Sequence, residues 1–530
     1  MTITLDLPPV PAAQAGPGLE HDGGLLPLIA RAARVRPDDV LQYRIVRKSI
    51  DARKKPAVTL LYRVDAVLAE GVRPADGPNL KPFVRRETYR PFEGKTDLKN
   101  PLVIGAGPAG LFAALALALA QAGCRPIVLE RGRDVDRRKR DIESFRASRR
   151  PDPESNYLYG EGGAGTWSDG KLFTRIHEPA VMFVLETFVA CGADPSILYF
   201  SHPHLGSDRL PGIIASLRAK IESLGGVFRW DSRVDEILIR NGVCRGVRLA
   251  GGDTLESEAV VVAAGHSARV FTRALCPRVQ STMKGFQIGV RIEHPQAFIN
   301  ETQYGMAVPP ESLGAAPYQI VSRPTPDGRI AGAASFCMCP GGEIIAAVTD
   351  ADHLCTNGMS NAARDGKFAN AALISTIPAE TFSSPGEAFG FLDALETELA
   401  KAGGGGCTAP AQNARDFLNG RTGSLPPETS YCFGLTPARI DSLLPRPVAA
   451  SLRRALAHFD AIMPGFLDCG VMIGGETRVS SPVRFERDRV TYRSSVPGLY
   501  FCGEGAGFAG GIVSAAVDGL HTADALLTYG

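Results

Sequence analysis

Paired cysteines, an excess of charge, an uninterrupted apolar span and a solenoid repeat are all missing from this chain. Its eleven cysteines are scattered from Cys124 to Cys502, an odd number with no Cys-x-x-Cys pair and no zinc-finger spacing. That excludes a disulfide scaffold and points to a reducing, cytoplasmic setting. Lysine and arginine number 58 against 56 acids, a net charge of +2, which gives no electrostatic footing for a dedicated nucleic-acid binder. The start, MTITLDLPPVPAAQAGPG, has no basic head followed by an apolar stretch and does not read as a secretory signal. From Pro101 to Cys124 no residue is charged, a span long enough to cross a bilayer. Yet Gly105, Gly107, Pro108 and Gly110 interrupt it near its start, and polar Gln121 near its end. Two buried elements around a glycine turn explain it, and no membrane partner is expected. HExxH, GxSxG and metal-ligand clusters are absent too, so no metal is expected.

What is present is ordinary in bulk and unusual in one residue. The 530 residues are 44% hydrophobic and 22% charged, enough for several domains with large cores. Glycine, at 58 residues, exceeds the usual ~7% and needs tight turns or backbone packed against a ligand. Residues 1–24, rich in Pro, Ala and Gly, read as a flexible leader. Residues 25–98 read as a small α/β domain, with a helical LLPLIARAARV and strand-like YRIVRKSI and AVTLLYRVDAV. Within it, residues 31–55 carry nine Lys or Arg against three Asp, a solvated face or, more sharply, a site for an anionic partner.

The next unit carries the chemistry. A strand, PLVIG, enters the turn GAGPAG; a helix, LFAALALALAQAG, follows; a second strand, PIVLE, ends at Glu130. Gly105 permits the tight turn, Gly107 lets backbone approach a pyrophosphate, and Gly110 lets the helix pack on its strand. The helix N-terminus offers unpaired N–H groups and a partial positive charge to phosphates. Glu130 is positioned to accept from ribose hydroxyls. Strand, turn, helix, strand and terminal acid together specify a dinucleotide, and Glu130 would repel the 2′-phosphate of NADP. Downstream, SDRLPGIIASLRAKIESLGG reads as a helix capped by Ser207 or Asp208. After it, residues 227–265 read as a meander of strands turning at Asn241-Gly242 and Gly251-Gly252.

Two further segments decide between FAD and NAD by resemblance. VPGLYFCGE, from Val496 to Glu504, resembles the second flavin fingerprint of FAD-dependent oxidoreductases, with Glu504 where most have Asp. AVVVAAG, from Ala259 to Gly265, resembles the strand ending Ala-Thr-Gly in such proteins, with Ala264 for Thr. No second GxGxxG with a trailing acid occurs, so a separate NAD(P) domain is not expected. The strings GEGGAGTWSDGKL, FCMCPGGE, GETRVSSPVRFERD and CGEGAGFAGGIVSAAVDGL are similar to those of a bacterial family of FAD-dependent dehydrogenases, largely uncharacterised.

That resemblance implies an α/β protein with a Rossmann-like FAD-binding domain of the glutathione-reductase type. Its two parts are residues 99–275 and 483–530, with an inserted α+β substrate domain at 276–482. FAD would be held by the turn (Gly105, Gly107, Pro108, Ala109, Gly110) and by Glu130 and Arg131. The glycine-dense 160–170 loop would add Gly165, Ser168, Gly170 and Lys171. Val234, Ala264 and Gly265 would follow, and then Gly503, Glu504, Gly511 and Ile512, the last two opening a helix aimed at the flavin's N1–C2=O edge. Hydride transfer between an organic small molecule and FAD N5 is the expected reaction, with a pyridine nucleotide or another electron donor or acceptor as a further partner. An FAD monooxygenase, an RNA-modifying flavoprotein and a flavin carrier without turnover are the alternatives. For catalysis, His266, Glu476 and Arg478 are the candidates, with His204 weaker. Cys337 and Cys339, two apart on a strand, are expected to share one face as packing.

Overall fold

The computed structural model describes every residue except 17, 22, 93, 95 and 121–123. The expected helix end at 121–123 and two positions of the expected leader therefore lie outside the described residues. Five parallel strands run in the order Leu499–Phe501, Val260–Val262, Leu102–Ile104, Ile127–Leu129 and Val227–Arg229. Most are short unbroken apolar runs, as strands covered on both faces require. The helix Pro108–Leu119 is buried on almost every side, which accounts for the charge-free stretch. Among the described residues, no helix is long and apolar enough to cross a membrane. The helix Ile512–Tyr529 lies directly against Pro108–Leu119: a Cβ at Gly519 would sit 2.1 Å from the carbonyl oxygen of Ala109.

The expected meander is real but narrower. Val234–Arg240, Val243–Leu249 and Thr254–Glu256 form an antiparallel three-stranded sheet. Asn241 and Gly242 both take positive φ, 52° and 77°, as a two-residue hairpin demands. Val227–Arg229 and Val260–Val262 belong to the parallel sheet instead. The helix before the meander is Leu210–Ser223, preceded by Arg209 with no side-chain cap. Neither Ser207 nor Asp208 caps it; the Asp208 carboxylate accepts from Ala362 N–H at 2.7 Å instead.

The leader reading fails at its very start. Thr2–Asp6 is a strand paired on one side with Thr59–Leu68 and on the other with Leu80–Pro82, and its Ile3 and Leu5 are buried. ITLDL has the alternation of a half-buried strand, but over too few residues to stand out beside the Pro/Ala/Gly run. Val40–Asp51 pairs with the far side of Thr59–Leu68, and the helix Leu26–Ala33 packs on this sheet. In the basic stretch, Arg36, Arg44, Lys48 and Arg53 are each paired with an acid.

A seven-stranded sheet occupies the middle of the chain. Its order is Val321–Ser322, Ala333–Cys339, Phe368–Ile377, Phe286–Pro295, Val471–Glu476, Ala409–Asn413 and Leu435–Pro437. Every neighbouring pair is antiparallel except the last. The helices Pro385–Gly403 and Arg446–Ile462 contribute to the same apolar core.

Candidate functional site

The Leu102–Ile104 strand ends at Gly105, whose φ of +102° suits glycine alone without strain. A Cβ at Gly110 would lie 1.9 Å from the Gly105 carbonyl oxygen, so Gly110 works beneath the turn, in packing. Above the turn opens a cleft of about 190 Å³. Gly105, Gly107, Pro108 and Ala109 line it, and so do Glu130, Arg131 and Val234. Gly165, Ala264 and Gly265 add to the wall, as do Gly503, Glu504, Gly511 and Ile512. Segments far apart in the chain thus converge on one concavity.

Glu130 is buried and already busy. Its carboxylate accepts from Ala106 N–H at 2.8 Å, Gly132 N–H at 2.9 Å and Gly160 N–H at 3.0 Å. A carboxylate offers about four acceptor positions, so one remains for a ribose hydroxyl. Arg131 lies over the Tyr159 ring at 3.9 Å and pairs with Glu154 at 2.7 Å. Tyr159 in turn donates to the Ser267 carbonyl at 2.6 Å. Tyr159, Arg233 and Ser267 line the cleft without a motif to announce them.

The glycine-dense loop reaches the cleft only in part. Gly162 N–H donates to the Ala106 carbonyl at 2.8 Å, and a Cβ at Gly163 would lie 3.1 Å from the Gly107 Cα. Backbone crosses backbone there, and Gly163 to Gly165 line the wall. Ser168, Gly170 and Lys171 do not. Ser168 Oγ donates to the Gly165 carbonyl and accepts from Gly170 N–H, closing the loop on itself. Gly170 lies against Leu210 and Gly206. Lys171 pairs with buried Asp169 at 2.9 Å, away from the cleft. Burial works against the charged form of Asp169, but Lys171 and Arg364 hold its carboxyl below the ordinary range.

The catalytic candidates separate. His266 lines the cleft; burial, then the charges of Arg269 and Arg478, lower its pKa to about 4, and its Nε2 has no partner among the described residues. Arg478 is a buried partner of Glu396 at 2.8 Å and lines an adjoining depression with Arg269 and His353. Glu476 reaches neither: it is 2% exposed and pairs with fully buried Arg291 at 3.0 Å. Burial raises its pKa to about 7. The GETR string gave no sign that Glu476 ends a central strand and faces the core. His204 bonds the Ala362 carbonyl at 3.1 Å and is likewise structural.

The last glycines stand where a second helix begins. Glu504 accepts from Ser481 N–H at 3.0 Å, and burial raises its pKa. Gly503 N–H donates to Asp518 at 2.7 Å, and Asp518 pairs with Arg487 at 2.5 Å. Asp518, buried in the final helix, carried no sequence signal. These features suit FAD: two helices, Pro108–Leu119 and Ile512–Tyr529, begin at the cleft wall, a bare-backbone turn lies between them, and one buried acid keeps a free acceptor site.

Comparison with known proteins agrees. A family described as FAD-dependent protein, C-terminal domain-like, matches residues 285–479, and a domain of unknown function (DUF8436) matches residues 2–67. The chain is an FAD-dependent protein, and FAD is its cofactor. An uncharacterized protein of Clostridium beijerinckii is 38% identical over 516 residues, covering 94% of this chain and 95% of the relative. This chain belongs to the same family. A phytoene desaturase (neurosporene-forming) of Cereibacter sphaeroides is 41% identical over 66 residues, 12% of this chain and 13% of its own length. Among solved structures, Amadoriase I of Aspergillus fumigatus has a TM-score of 0.34 at 12% identity, over 83% of this chain and 88% of its own. Glycine oxidase of Bacillus cereus has a TM-score of 0.33 at 11% identity, over 81% and 97%. Likenesses this slight carry no conclusion about the chemistry.

Proposed function

We propose that this protein is an FAD-dependent oxidoreductase of the dehydrogenase type, moving a hydride between an organic small molecule and FAD N5. In this reading residues 99–275 and 483–530 form a Rossmann-like domain of the glutathione-reductase type, and 276–482 faces the substrate. The observation that carries it is the cleft itself, where two helix N-termini, a bare-backbone turn and Glu130 meet. When bound, FAD supplies the two-electron chemistry. The turn at Gly107–Ala109 receives the pyrophosphate at a helix N-terminus. Glu130 accepts from a ribose hydroxyl with its remaining lone pair. His266, neutral at pH 7, offers an unpartnered Nε2 to accept a hydrogen bond. Gly511 and Ile512 open a helix whose dipole favours negative charge beside the flavin's N1–C2=O edge.

The cofactor released by heat should run as FAD on chromatography, and anaerobic screening of organic donors should find one that bleaches it. Release of NAD, or no nucleotide even after FAD is supplied, would overturn the reading. Substrate-dependent oxygen uptake with a reduced pyridine nucleotide would turn it into the monooxygenase alternative. Gly511→Asp sets a carboxylate at the start of the second helix, where it opposes the reduced anion. Its midpoint potential should fall in a spectroelectrochemical titration, or the flavin should be lost. A variant that keeps FAD at an unshifted potential would show that the helix points elsewhere.

A further inference from the structure

Away from the cleft, the Ala333–Cys339 strand brings two thiols together beside two cations. The strand pairs with Phe368–Ile377, but its register shifts between Phe336 and Cys339. Cys337 takes a φ of +44°, in the left-handed region that a β-carbon resists. Regular alternation is broken there, so the two thiols meet through a local distortion of the strand and not through the regular strand face expected. Cys339 Sγ donates to the Cys337 carbonyl at 3.3 Å, which folds the two residues into one local turn. Cys339 is buried and Cys337 half-buried.

Two cations stand beside the pair, Lys171 and Arg291, each with a carboxylate partner, Asp169 and Glu476. Fully buried Arg291 donates to the Cys337 carbonyl at 3.0 Å and to Asn357 at 2.8 Å. The Lys171 ammonium is buried and, beyond its ion pair with Asp169, has no hydrogen-bond partner among the described residues. The neighbouring Cys339 thiol and then, against burial, the charges of Lys171 and Arg291 hold the Cys337 thiol well below its usual range, with Asp169 opposing them. The same neighbour and burial push the Cys339 thiol up. A half-buried thiol beside a fully buried one, next to a buried ammonium, is the arrangement of an attacking and a resolving cysteine.

We propose that Cys337 and Cys339 form a reversible dithiol–disulfide site whose substrate is a low-molecular-weight disulfide. The Cys337 thiolate attacks one sulfur of R–S–S–R; a Cys337–S–S–R bond forms, the R–S–S–R bond breaks, and RS⁻ leaves. Cys339 yields its proton to the departing thiolate, and its sulfur attacks that of Cys337. The mixed disulfide breaks and the second RS⁻ leaves. Two protein thiols are oxidised to one disulfide, and one small disulfide is reduced to two thiols. No step draws on FAD, so the site stands apart from the reaction proposed above.

The test uses the FAD-loaded protein and oxidised glutathione. Peptide mass spectrometry should find a Cys337–Cys339 disulfide that dithiothreitol reverses, and in Cys339→Ser a glutathione adduct should accumulate on Cys337. Peptide-resolved iodoacetamide labelling should modify Cys337 at least ~10-fold faster than exposed Cys432 near pH ~6.5. Lys171→Gln should shift the Cys337 labelling curve to higher pH. Absence of the 337–339 link after oxidation, or Cys337 labelling no faster than that of Cys432, would overturn the proposal.

Discussion

Asp518→Ala should destabilise the protein by about 3–5 kcal/mol, the scale for removing one partner of a buried ion pair. Arg487 keeps its hydrogen bond to the Phe501 carbonyl at 2.7 Å and its place over the Phe508 ring at 3.6 Å. Its guanidinium therefore stays inside without a counter-charge, and Gly503 N–H loses its acceptor at the cleft edge. Urea unfolding should show a lower midpoint, and FAD retention should fall with it. Removing both charges, as Asp518→Leu with Arg487→Met, should recover most of the stability, because no charge is then stranded. If Asp518→Ala unfolds at the same urea concentration as the parent, the pair contributes nothing.

The second large effect is steric. Gly110→Val places a Cβ where the Gly105 carbonyl oxygen stands, at 1.9 Å, and the oxygen has nowhere to go. Gly105 N–H is tied to the Leu129 carbonyl at 2.8 Å, and space for a Cβ on Gly105 itself is closed by the Ala263 carbonyl at 2.5 Å. Helix and strand must separate, at a cost at or above the usual 1–3 kcal/mol for overpacking. The flavin-to-protein absorbance ratio should drop at least ~10-fold, since the moved helix start is the phosphate site. Gly77→Val, with no atom within 4 Å of its Cβ, is the matching control and should keep both Tm and flavin. Equal flavin content in the two variants would remove Gly110 from the account.

What was legible in the sequence was written in local rules. A glycine turn between an apolar strand and an apolar helix, and an acid at the next strand's end, are determined within thirty-odd residues, and the cleft formed around them. So was the Asn241-Gly242 hairpin, where backbone conformation alone selects the residues. Lys171, Ser168 and Gly170 were misplaced because composition marks a loop without saying which way each side chain turns. Glu476 was misplaced for a related reason: its string looked functional, while its burial depends on the distant strands Phe286–Pro295 and Ala409–Asn413 that flank it and on Arg291, its partner in the ion pair. Asp518 and Arg487 found each other across the fold, and no spacing in either segment betrays such a pair. Thr2–Asp6 was missed because its strand is defined by its neighbours, Thr59–Leu68 and Leu80–Pro82, more than by its own five residues.

The order of strands in the parallel sheet bears on how this protein is made. Val260–Val262 has Leu102–Ile104 on one side as soon as both have been synthesised, but its other neighbour is Leu499–Phe501. While the whole central sheet is translated, that inner strand presents an open edge to solvent or to a chaperone. The helix that covers Pro108–Leu119 arrives later still, with Ile512–Tyr529. A chain translated no further than the central sheet therefore holds half a cofactor cleft and cannot close it. Flavin capture has to wait for Leu499–Phe501 and Ile512–Tyr529, a long-range pairing whose loop-closure cost falls on folding before any cofactor contact can offset it.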